Sequence, residues 1–171
     1  REVNCIALKD NMAQKSVIKD LESMLFTWRG DIVEQRFLVT LAELYRKAGE
    51  TDKALRALRG ISNYLWKFER SHIYIKLAAD LFYDSFMGMQ DQPFLKQIAY
   101  YYEFEDLTPK GKRYGDIIDR ITGLYVKVGL MDQAIQALNQ RMKFLNFEQR
   151  CKILSEESYR YLMNITLKRM A

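Results

Sequence analysis

Leu44-Tyr-Arg-Lys-Ala-Gly-Glu-Thr-Asp-Lys-Ala-Leu-Arg-Ala-Leu58 recurs eighty positions later as Leu124-Tyr-Val-Lys-Val-Gly-Leu-Met-Asp-Gln-Ala-Ile-Gln-Ala-Leu138. Eight of the fifteen positions are identical. The shared frame ends one helix on Leu-Tyr, turns at Gly, and begins a second helix with Asp and two alanines. A tight helix–turn–helix needs bulky, turn-forming and small residues in that order. Its repetition predicts a chain of stacked helix pairs.

The rest of the chain reads as helix on either side of this frame. An apolar stripe at Val17, Ile18, Leu21, Met24, Leu25 and Trp28 predicts a helix over about residues 12–28, closed by Gly30. Asp31 with Glu34 has the spacing of a capping box for the next helix, whose inner face carries Phe37, Leu38, Leu41, Ala42, Leu44 and Tyr45. Thr51 or Asp52 starts the third, with Ala54, Leu55, Ala57, Leu58 and Ile61 inward. A fourth runs from Ser71 to about Met87, closed by Gly88. Asp91 is expected to cap a fifth, with Pro93 in its first turn. Leu107-Thr-Pro-Lys-Gly111 breaks the pattern, a second hairpin follows at 115–128 and 131–145, and a less regular helix spans about 148–169.

Composition supports an ordinary folded domain. Hydrophobic residues are 49% and charged residues 29% of the 171, which supplies a core and argues against disorder. Eight glycines, two prolines and no alternating β-branched runs favour an all-α chain of about eight helices. It reads as one helical-repeat domain over 1–171, with repeat-like hairpins near 31–67 and 115–145. A start at Arg1 rather than Met suggests a piece of a longer solenoid. No stretch of eighteen apolar residues occurs, so no membrane insertion is expected within this segment.

On these residues the chain resembles the tetratricopeptide family. With Tyr45 as that motif's central aromatic, Leu38, Leu41 and Ala42 fall on its early positions, and Gly49, Ala54 and Leu58 on its turn and second helix. Ile118, Ile121, Thr122, Tyr125, Gly129, Ala134 and Leu138 align in the same way. The second copy departs at Thr122 and Arg141, where a small apolar residue is usual, and neither copy has the terminal proline. The two motifs cover less than half of the chain. The segments Leu25–Asp31, Tyr101–Pro109, Gly115-Asp116 and Val128–Ala134 also look like an uncharacterised alphaproteobacterial family of degenerate tetratricopeptide-like repeats. That likeness implies a bacterial protein of the cytoplasm or periplasm and carries no catalytic residues.

The residue inventory offers little for catalysis. His72 is the sole histidine, and Cys5 and Cys151 lack metal or disulfide spacing, so no enzyme, metal or small-molecule cofactor is expected. Lys110-Gly-Lys-Arg-Tyr-Gly-Asp116 lacks the order of a phosphate-binding loop and reads as a connecting turn. Asp116 and Asp119 read as carboxylates favoured by a helix start. Tyr100, Tyr101, Tyr102 and Phe104 read mainly as inter-helix packing.

What the resemblance implies is a right-handed α-α superhelix of antiparallel helix pairs, whose concave face binds a peptide or partner protein without catalysis. On its register the groove-facing residues are Arg36, Val39, Glu43 and Arg46 in the first copy. Asp116, Asp119, Gly123 and Val126 follow in the second, with Arg120 and Lys127 beside them. This set lacks the Lys/Asn clamp of relatives that grip a C-terminal carboxylate. The alternative is nucleic-acid binding through the basic C-terminal helices (Arg141, Lys143, Arg150, Lys152, Arg160, Lys168, Arg169), encouraged by a net charge of +5. Acids interleave with these bases, so nucleic acid is the less favoured partner.

Overall fold

The computed structural model describes residues 15–25, 32–62 and 71–143. All the regular structure among them is helical: α1 (residues 15–25), α2 (Ile32–Lys47), α3 (Thr51–Ser62), α4 (Ser71–Gly88), α5 (Phe94–Phe104), a 3-10 turn (Glu105–Leu107), α6 (Lys112–Lys127) and α7 (Met131–Lys143). The caps expected at Asp31, both cysteines and the helix expected at 148–169 lie outside the described residues. The helices group into two compact units, Arg1–Phe82 and Tyr83–Ala171, which divide within α4.

In the first unit α2 and α3 form the predicted hairpin. Leu41, Ala42 and Tyr45 are buried on α2, and Ala54, Leu55, Ala57, Leu58 and Ile61 on α3. These are the three-and-four spacings of a single apolar stripe. Ala42 and Ala54 are both essentially without exposure, so the two expected small sites are interior. Gly60 adds a third close approach: a Cβ there would sit 3.1 Å from Leu38 Cδ1 of α2. Ile18 of α1 joins Leu41, Tyr45 and Ala54 in one cluster, flanked by Leu21, Leu25, Leu44 and Leu81.

The turn explains why the frame carries glycine. Gly49 has φ 75°, a region in which a Cβ is strained. With it there, the Glu50 amide donates to Tyr45 O (2.9 Å) and the Gly49 amide to Arg46 O (3.1 Å), the paired bonds that close a helix and satisfy its last carbonyls. The second unit repeats this bond for bond. Gly129 has φ 80°, Leu130 donates to Tyr125 O (2.8 Å), and Gly129 donates to Val126 O (3.1 Å).

In that second unit Ile117, Ile118, Ile121, Leu124 and Tyr125 of α6 are buried with Ala134, Ala137 and Leu138 of α7. α5 adds Ile98, Tyr100, Tyr101 and Phe104, with the Tyr100 and Phe104 rings 5.0 Å apart and Phe86 and Tyr101 5.8 Å apart. The tyrosine run is therefore largely core, with Tyr102 as its exposed member. Two boundaries differ from expectation. α5 begins at Phe94, two residues later than an Asp91 cap would give, because Pro93 has an extended ψ of 140° and takes the N-cap place without a side-chain cap. α6 begins at Lys112 rather than near Gly115, because Gly111 (φ 81°) is the residue that makes the turn.

Candidate interaction surface

The first-copy candidates occupy one face of α2. Arg36, Glu43 and Arg46 are exposed and Val39 is half-buried beside them. Their spacings of three, four and three residues keep all four on the same side of the helix. At the α2–α3 turn, Glu50 pairs with Lys53 (2.7 Å), whose ammonium lies 5.4 Å from the Tyr45 ring centre. The Tyr45 hydroxyl donates to the Glu22 carboxylate of α1, and burial first, then that bond, carries the phenol well above its usual range. This tyrosine fixes α1 to the hairpin beneath the exposed row.

The second-copy candidates have internal partners. Asp116 accepts a hydrogen bond from the Tyr83 hydroxyl (3.0 Å), which together with burial raises the Tyr83 phenol, and Arg113 lies 4.9 Å from the Tyr83 ring centre. Asp119 accepts from Arg141 Nε (3.1 Å) and Nη2 (3.3 Å). Lys127 places its ammonium 4.9 Å from the Phe94 ring centre, and Gly123 and Val126 are exposed and half-buried. With α6 starting at Lys112, its first turn contains no acid, so Asp116 and Asp119 act through these side chains rather than as dipole partners.

Arg120 is the most deeply engaged of the set. Its Nη1 donates to Met87 O (2.9 Å) at the end of α4, and its Nη2 donates to Gln97 Oε1 (2.7 Å) on α5. The guanidinium lies 5.1 Å from the Phe86 ring centre. Gln97 is buried and its own amide donates to Gln92 O (2.6 Å). Burial pushes the Arg120 guanidinium below its ordinary value, and Nε is buried without a partner. Arg120 therefore joins three helices of its own unit. Sequence alone gave no signal for this, because Met87 and Gln97 are 33 and 23 residues away.

Arg141, the position that departs from the repeat pattern, has a matching slot. A Cβ on Gly115 would overlap the Arg141 guanidinium, so the glycine makes room for it one turn before Asp119. The arginine is half-buried, with 17% of its side chain exposed. The other departure has no such match: Thr122 is buried and its Oγ1 has no partner.

Among the described residues, no group of three or more His, Cys, Asp or Glu is placed to hold a metal ion. No described helix is long and apolar enough to cross a membrane. His72 is exposed in the first turn of α4. Of the C-terminal basic residues, Arg141 and Lys143 are described and the rest lie outside the described residues. Comparison with known proteins returns no family model, no curated protein and no solved structure that matches the chain.

Proposed function

We propose that the chain is a noncatalytic protein-interaction module of tetratricopeptide-like character, binding a peptide or partner protein on the outer face of α2. The observation that carries this reading is the difference between the two copies. Arg36, Glu43 and Arg46 present charge to solvent along one side of an ordered helix, whereas Asp116, Asp119 and Arg120 bond within their own unit. A prearranged row of two arginines about a glutamate suits an extended partner of mainly acidic character, and little ordering entropy is lost on the receptor side. The matched turns, with alanine or threonine at the tight helix contacts, support the family likeness.

The test is affinity capture from native lysate with mass spectrometry, comparing the chain with its Arg36→Ala/Glu43→Ala/Arg46→Ala variant. Partner capture should fall while the helical circular-dichroism signal stays the same, since all three side chains are exposed. Unchanged capture rules out the α2 face.

A further inference from the structure

We infer that the outer face of α5 is a self-association surface that pairs with the same helix of a second copy, antiparallel, about a two-fold axis at Ala99. It belongs to the second unit and is independent of the α2 reading.

Leu95 is 70% and Tyr102 51% exposed, the largest exposures among the large apolar side chains of this unit's described residues. Single exposed leucines are common and mean little. Here, however, Leu95, Ala99 and Tyr102 follow one another at four and three residues, forming a continuous line along the solvent side of the helix. Lys96 and Glu103 flank that line on one side, and both are exposed. The Lys96 ammonium donates to Gln92 Oε1 (3.0 Å) at its own helix end.

Charge selects the orientation. In a parallel pair the two-fold axis would put the Lys96/Glu103 flanks of the two helices on opposite sides of the seam, where they cannot pair with one another. Antiparallel pairing about Ala99 brings Lys96 to the partner's Tyr102 and the partner's Glu103, and Leu95 to the same end of the partner helix. It also opposes the two helix dipoles. Alanine at the crossing admits the short end of the usual interaxial range of about 8–10 Å. Such a contact is isologous, so it closes at two copies. An 11-residue helix is about 16 Å long, which limits the buried area and makes the dimer weak.

Sedimentation equilibrium of the 171-residue chain tests this. We expect a reversible monomer–dimer equilibrium with Kd on the order of 10–100 µM. Leu95→Glu should raise Kd at least about tenfold, and Lys96→Glu or Glu103→Lys alone should each raise it roughly threefold or more. The double exchange Lys96→Glu/Glu103→Lys should return Kd to within about twofold of the starting value, because every cross-copy pair is again of opposite sign. Circular dichroism checks that each variant keeps its helices. A chain that remains monomeric to about 1 mM overturns the proposal. So does a dimer indifferent to Leu95→Glu, or a double exchange as weak as its two single changes combined.

Discussion

The α2–α3 and α6–α7 hairpins share a turn down to individual hydrogen bonds, yet they fill their interiors with different chemistry. At the eighty-residue offset, Ile61 of the first corresponds to Arg141 of the second, Val39 to Asp119 and Gln35 to Gly115. Ile61 is completely buried, so the first hairpin is closed there by an apolar side chain. In the second, the same position holds a guanidinium that rests against Gly115 and pairs with Asp119. Thr40, exposed and bonded to the carbonyl of Arg36 one turn back, corresponds to Arg120, which ties α6 to α4 and α5. One backbone frame thus tolerates either an apolar or a polar interior, provided the polar choice brings its partners. The polar version also draws side chains inward that the first hairpin leaves on its surface.

Alkali should separate the two most strongly. Burial, then the Glu105 carboxylate, carries the Tyr101 phenol up to about 12, and burial, then a bond to Tyr102, carries Tyr125 higher still. A phenol raised above its ordinary 10.0 adds stability that is complete below pH 10 and is lost as pH climbs toward the folded value. Among the described residues of the first unit, one tyrosine is strongly shifted, Tyr45. Tyr101→Phe/Tyr125→Phe should therefore move the alkaline unfolding midpoint upward more than Tyr45→Phe does, followed by circular dichroism with tyrosinate absorbance.

Next in size is the latch. Arg120→Ala should cost about 2–3 kcal/mol, since it strands a buried glutamine oxygen and a helix-end carbonyl. Thr40→Ala, at the matching site, should stay within about 0.5 kcal/mol. Urea denaturation of both variants measures the gap, and equal losses would dissolve the distinction between the hairpins.

A smaller effect should appear in the arginine slot. Gly115→Ala alone is expected near zero, because the gain in helix propensity of about 1 kcal/mol is offset by displacing Arg141. In an Arg141→Ala background the same change should stabilise by about 1 kcal/mol, giving a coupling of that size in a double-mutant cycle. The smallest is Thr122→Val, which keeps the shape and removes a buried hydroxyl without a partner; thermal melts should show a gain of at most about 1 kcal/mol.

The hairpins were legible because their signals are local. Leu-Tyr, Gly, Asp and paired alanines fall within fifteen residues, and each has one plausible backbone use. Gly115 shows where local reading stops. In isolation it resembles a turn residue, and its actual use, inside a helix beneath an arginine, depends on a side chain 26 positions later. The same limit applies to the candidate surface. The α2 row comes from the repeat register, and in the structure Arg36, Glu43 and Arg46 are exposed while Val39 is half-buried. The same register puts Asp116 and Asp119 on a groove with Arg120 beside them, whereas Tyr83, Arg141, Met87 and Gln97 engage them from other helices. Spacing identifies a helix face; it does not say what arrives to cover it.

The bond from Arg120 to the carbonyl of Met87 has a consequence for the order of events on the ribosome. When α4 emerges, the carbonyl near its end has only water to accept from. The side chain that replaces that water is made thirty-three residues later. The second unit therefore cannot acquire its finished interior while the chain is being made as far as α5 alone. A nascent chain stalled before residue 120 should show α4 fraying at its C-terminal end, and one stalled after α6 has cleared the exit tunnel should not.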